Sequence, residues 1–232
     1  MAKVLVRISA IMFSVLLFGY IVLACVLAVG LDDAAYRKIQ VKYEIADYAG
    51  MDQETLDRAT AVLITYMDGK RADIEATGMV NMTVGPLFNN KEKIHMADVR
   101  DLFRTGKNLM PVMLFLMVLI ILACMLAWFQ DFQTYFFSTS LMALGILLST
   151  LVLIAAVSAI NFTVFWDVFH RILFTNDLYL LDPRQDLLIR MMPERFFISL
   201  SLRIVLRFMV VYVATMLSLA LIHGFMKGRR RI

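Results

Sequence analysis

The chain has 232 residues, 61% of them hydrophobic and 18% charged, with a formal net charge of +4 and a mean hydropathy of +0.75. Soluble domains lie nearer about 45–50% apolar, so this composition excludes an ordinary water-soluble globule. The basic excess sits at the two ends, in Lys3, Arg7, Lys227, Arg229, Arg230 and Arg231 with no acid beside them, and that placement argues for membrane orientation and against nucleic-acid binding.

Four charge-free intervals set the plan: 24 residues between Arg7 and Asp32, 23 between Lys107 and Asp131, 35 between Asp131 and Asp167, and 19 between Arg207 and Lys227. A helix needs roughly 20 apolar residues to cross a bilayer, and a lipid-exposed open sheet would leave its backbone unpaired. The expected fold is an all-α membrane protein of four transmembrane helices with a small extracytoplasmic cap, mainly helical, with short strands in its turn-rich part. Residues 1–30 hold helix 1. Cys25 closes a stretch resembling a cleavable lipoprotein signal, but the apolar run continues through "VLAVG" to full span length, so the segment is read as uncleaved.

Residues 31–108 form the cap. "MDQETLDRATAVLITYMDGK" reads as a helix capped by Asp52 and stopped near Gly69. "ADIEATGMVNMTVG" is turn-rich, and "NKEKIHMADVRDLFRTG" reads as a second helix over about 91–104, stopped by Gly106. Residues 109–165 contain helices 2 and 3, at 109–130 and 136–165, with Pro111 in the first turn of helix 2. Residues 166–195 make a second outer loop, in which Asp182 and Pro183 cap and start a short helix. Residues 196–232 carry helix 4 and a basic tail. Four crossings put both termini on one side, and the terminal basic residues make that side cytoplasmic.

Polar chemistry gathers where the second outer loop begins. His170 follows an apolar run, and His95 precedes helix 2 by 14 residues, so both fall on the outer side. Glu92 and Asp98 flank His95 at i−3 and i+3, where each can reach one ring nitrogen. Asn176, Asp177 and Asp182 are the corresponding candidates for His170. Phe162, Phe165, Trp166, Phe169, Phe174, Tyr179, Phe196 and Phe197 crowd the same level, as an acyl-chain pocket or an ordinary interfacial belt. Arg203 and Arg207 stand one turn apart at the start of helix 4, placed to hold polar lipid groups or only to anchor the helix. The plain alternative for the histidines is two surface imidazoles. "EKIH" matches the Glu-x-x-His of di-iron bundles, but the second such motif and its two glutamates are absent. A zinc site from His95, His170 and one carboxylate stays open. No "GxSxG" or Cys-His arrangement occurs.

"EKIHMADVRDLF" and "FHRILFTNDLYLLDPRQDLLIRMMPERFF", with their order, separation and the four-helix plan, resemble the bacterial lipoprotein intramolecular transacylase family. The resemblance implies an enzyme that moves an acyl chain from the sn-2 glyceryl ester of a diacylglyceryl lipoprotein to the α-amino group of its N-terminal cysteine, giving a lyso-form lipoprotein. It implies that His95 and His170 are the catalytic pair. The expected partners are that lipoprotein and membrane lipids, with no cofactor, metal or nucleic acid. The expected place is the bacterial cytoplasmic membrane, with the site at its extracytoplasmic interface. The chemistry agrees: an α-amino group with a reference pKa near 7.7–8.0 needs a base, and imidazole suits that task. Two other classes remain on the residues alone: a non-catalytic lipid- or partner-binding module, and a metal-dependent membrane hydrolase.

Overall fold

The structure is a computed structural model that describes residues 1–228; the tail residues Arg229, Arg230 and Arg231 lie outside the described residues. In chain order, the long helix α1 (Ala2–Gly30) leads to α2 (Asp33–Lys42), α3 (Ile45–Ala49) and α4 (Gln53–Met67). A hairpin of β1 (Thr77–Val80) and β2 (Thr83–Pro86) precedes α5 (Asn90–Ala127). Then come α6 (Phe129–Asp131), a π-helical turn (Phe132–Phe136), α7 (Phe137–Ile160), α8 (Phe162–Leu173), α9 (Leu187–Met191) and α10 (Glu194–Gly228). Four helical stretches, Ala2–Gly30, Asn90–Ala127, Phe129–Ile160 and Glu194–Gly228, are long and apolar enough to cross a membrane.

The chain divides into two compact units. The first comprises Met1–Cys25, Asn108–Ile160 and the chain from Val205 onward. Its core joins Val6, Ala10 and Phe13 to Met117, Cys124, Phe132, Phe136 and Phe137. Polar side chains there satisfy themselves against backbone: Ser14 Oγ donates to the Ala10 carbonyl at 2.7 Å and Tyr212 Oη to the Leu144 carbonyl at 2.7 Å. Leu126, Val152, Leu153, Val157, Val210 and Leu221 point outward, as side chains facing lipid do.

The second unit comprises Val26–Lys107 and Asn161–Ile204. Tyr36, Ile39, Ile45, Leu56, Leu63, Phe88, Met191 and Phe196 form its core. Each such side chain contributes roughly 1.5–3 kcal/mol by leaving water. Asp52 caps α4 by accepting from Thr55 N at 2.6 Å, and Gly69 ends it at φ 80°. The hairpin turns on Asn81 and Met82, with φ of 49° and 64°, the left-handed pair that a two-residue turn needs. Asn81 N donates to the Gly50 carbonyl at 2.7 Å. Gly50 has φ 75°, and a Cβ there would meet Asn81 Oδ1 at 2.1 Å, so only glycine fits.

Three expectations change. The helix expected over 91–104 does not stop at Gly106; it runs on as α5, with Pro111 in its interior. Proline removes only one bond, to the Lys107 carbonyl, and an apolar setting penalises breaking the remainder. Helix 3 ends at Ile160, because Asn161 adopts an extended conformation and caps α8 by accepting from Val164 N at 3.1 Å. The short helix after Asp182 begins only at Leu187.

Candidate active site

α5 starts with a reciprocal cap. Asn89 Oδ1 accepts from Glu92 N at 3.0 Å, and Glu92 Oε2 accepts from Asn89 N at 2.7 Å. The other carboxylate oxygen, Oε1, accepts from Leu188 N at 2.5 Å, so one fully buried acid ties the start of α5 to α9. Burial pushes its carboxyl pKa up, against the backbone donors that hold it charged. Asn89 Nδ2 donates to Asp186 Oδ1 and Asp182 N to Asp186 Oδ2, both at 2.7 Å. One turn past this cap, α5 presents His95, well before the apolar stretch that begins at Asn108.

His170 lies in the last turn of α8. Its Nδ1 is 2.8 Å from the Trp166 carbonyl. A carbonyl only accepts, so Nδ1 carries the proton and neutral His170 keeps the Nε2 lone pair free. Both histidines are more than nine-tenths buried, and their ring centres are 6.2 Å apart. Tyr179 lies nearly parallel to the His170 ring at 4.9 Å and Phe174 at 5.6 Å, while Trp166 meets it edge-on at 4.7 Å. Phe174 also packs against His95 at 5.2 Å. Burial lowers the pKa of both imidazoles. His95 falls to about 4, through desolvation and then the nearness of His170. His170 is lowered by desolvation, partly offset by the Trp166 carbonyl and Asp167. His95 Nδ1 is buried without a hydrogen-bond partner, a situation that costs about 1–3 kcal/mol and calls for a reason.

The pair opens on a cavity of about 300 Å³. Phe165, Trp166, Phe169, Phe174 and Tyr179 line it. Phe196 does not: it is fully buried, 5.0 Å from Tyr36, and its neighbour Phe197 lines the cavity instead, 4.3 Å from Trp166. One helical position turns the side chain by about 100°, and the apolar run "FF" does not say which ring faces which way. Arg203 and Arg207 are exposed and stand outside the lining, which takes Ser201 and Ile204 from the same stretch of α10. Ser201 and the α5 residues Met96, Val99 and Phe103 were not singled out from sequence; the i, i+3, i+4 spacing from His95 was the available signal for Val99.

The expected orienting residues are placed differently. Glu92 serves Asn89 and Leu188 and makes no hydrogen bond to His95. Asp98 accepts from Asn176 Nδ2 at 2.9 Å, so two residues assigned to separate histidines bond each other and join α5 to the loop carrying Phe174 and Tyr179. Asp98 acts on His95 only through its charge, favouring the protonated form. Asp182 is gripped by Arg184, at 2.7 Å to Nη2, which holds its carboxyl down to about 2. The exposed Asp177 takes part through its carbonyl, which accepts from Leu180 N. The carboxylates of Glu92, Asp98 and Asp182 are thus engaged elsewhere, and among the described residues no three His, Cys, Asp or Glu side chains gather as a metal site.

The model of one protein family, described as lipoprotein intramolecular transacylase Lit, matches residues 10–197. The chain belongs to the lipoprotein intramolecular transacylase family. Its fold is that of the membrane-integral Lit from Bacillus cereus, with a TM-score of 0.73 at 21% identity, covering 97% of each chain. Two further structures of that protein, each with one histidine replaced, by arginine or by alanine, match with TM-scores of 0.69 and 0.68 at 20% identity. Both span 97% of this chain, and 93% and 95% of their own. No curated protein matches the chain by sequence. A Lit-family chain with four apolar helices is a multi-pass membrane acyltransferase.

Proposed function

We propose that this Lit-family enzyme moves the sn-2 acyl chain of a diacylglyceryl lipoprotein to the α-amino group of the same molecule's N-terminal cysteine, with His95 and His170 as its acid/base pair. The observation that carries the reading is the pair itself: two buried imidazoles, 6.2 Å apart between ring centres, at the wall of an otherwise largely apolar cavity. The amine attacks the ester carbonyl and His170 Nε2 takes its proton. The C–N bond forms, a tetrahedral oxyanion develops, and a neutral imidazole N–H of His95 is suited to stabilise it. The C–O bond then breaks, and the imidazolium of His170 returns the proton to the departing sn-2 oxygen. Atoms balance without water or an enzyme nucleophile, and the product has the substrate's mass.

The depressed pKa values favour this division. At neutral pH both rings are uncharged, so His170 is free to accept a proton. The faces of Tyr179 and Phe174 support the imidazolium by about 0.5–2 kcal/mol each. An apolar cavity keeps water from competing for the acyl group, and folding one lipid so that its ends meet supplies effective molarities of roughly 10⁵ M or more. The basic residues Lys3, Arg7 and Lys227 support cytoplasmic termini, with the histidines on the extracytoplasmic side. Purified protein with a synthetic S-diacylglyceryl cysteine peptide should convert it to an isomer of equal mass bearing an amide and a free glyceryl hydroxyl. Release of free fatty acid in place of that isomer would replace the transacylase with a hydrolase.

A further inference from the structure

In a cavity this apolar, every polar side-chain group is conspicuous. They are Tyr36, His95, Trp166, His170, Tyr179 and Ser201. The Tyr36 hydroxyl is spent on the Gly30 carbonyl at 3.0 Å. Trp166 and Tyr179 both touch the His170 ring and so belong to the reacting centre. Ser201 is the remainder. It comes from α10, one turn beyond Phe197, and makes no hydrogen bond among the described residues, although Ser14, Ser149, Ser158 and Ser218 each turn their hydroxyl onto the carbonyl four residues back. A helical serine in apolar surroundings ordinarily does the same. One that does not keeps its donor for something else.

We propose that the Ser201 hydroxyl is the subsite for the ester that does not react, donating to the sn-3 ester carbonyl while the sn-2 ester lies at the histidines. The proposal rests on the transacylase reading and deepens it. The substrate carries two esters of nearly identical chemistry, and both carbonyls must enter surroundings that give them little else to bond. An unmatched carbonyl pays a desolvation cost there, so one donor at the right depth sets which ester meets the base. Ser201 thereby acts as a specificity-determining residue. Because it holds nothing in the protein, its removal leaves the empty fold intact.

The test compares wild type and Ser201→Ala on two synthetic peptides, the S-diacylglyceryl form and an analogue whose sn-3 ester is an ether, lacking that carbonyl. One neutral hydrogen bond corresponds to about a three- to tenfold effect. On the diester, Ser201→Ala should raise KM by that factor, with an unchanged thermal midpoint for the substrate-free protein. Wild type should lose the same factor on the ether analogue, and Ser201→Ala should treat the two peptides alike, the non-additivity expected of direct partners. A Ser201→Ala KM equal to wild type on the diester, or an equal loss on both peptides, would overturn the subsite while leaving the transacylase reading intact. Failure of wild type to isomerise the diester would instead remove the reading beneath it.

Discussion

In the proposed mechanism His170 accepts a proton in a place that resists charge. Burial lowers its pKa, yet the Trp166 carbonyl and the rings of Tyr179 and Phe174 keep the imidazolium within reach. The pH dependence follows from the sign of that shift. A lowered pKa leaves His170 neutral and competent down to a pH below the ordinary value near 6.5. The substrate amine, near 7.7–8.0, titrates separately and at higher pH. Log kcat/KM should therefore rise with unit slope from about pH 6.5 to 8 and steepen to a slope of two only below about pH 6.5. A stopped assay on the diacylglyceryl peptide from pH 5 to 9 measures this. A second break at or above pH 7 would show that His170 is not the buried base described here. From the sequence, type and place nominated the two histidines and the family resemblance paired them; the distance between the rings was not legible, since 75 positions separate them and their meeting depends on tertiary packing. Their second partners were misassigned for a physical reason: carboxylates three residues away on a helix can reach a ring, but a cap and a loop amide compete for them and take them.

Among the elements, α5 carries the most consequence. It begins in the Asn89–Glu92 cap, carries His95 one turn later and runs without a break past Pro111. The Asp52 cap of α4 was legible; the Asn-x-x-Glu capping box at residues 89–92 and the Asp32 cap of α2, which accepts from Ala35 N at 3.1 Å, went unread. The continuity of α5 was not legible, because rules learned in water read Gly106 as a stop and Pro111 as the first turn of a new helix, whereas backbone bonds are kept when water is scarce. Asn161, a lone N-cap residue within an apolar run, lies inside the helix expected over 136–165. Glu92 makes a sharp test. In Glu92→Gln one carboxylate oxygen becomes an amide N–H that faces a backbone N–H. The change should cost about 1–3 kcal/mol of stability, seen as a lower thermal midpoint, and should loosen α9, seen as faster hydrogen exchange at Leu188. Unchanged exchange at Leu188 would mean that this carboxylate does not hold α9.

At the scale of the whole molecule, composition carried the architecture furthest. Charge-free intervals located four spans, because length and apolarity are the requirements a bilayer imposes. They could not show that the cap shares one core with the start of α10, where Phe196 packs on Tyr36. Topology is the remaining large-scale expectation. A reporter that works only outside the cytoplasm should be active when inserted at residues 70–73 and inactive when fused after Ile232. The reverse pattern would place the histidines on the cytoplasmic side. The account turns most directly on where the acyl group goes and what moves it. The deciding measurement incubates the protein with a mixture of two diacylglyceryl peptides of different sequence, one carrying an isotopically labelled sn-2 chain, and reads the amide products by fragmentation mass spectrometry. The account predicts labelled amide only on the peptide that began with the label, and conversion falling by about 10²–10⁴ in His170→Gln. Label on the other peptide, or near-normal conversion by that variant, would contradict it.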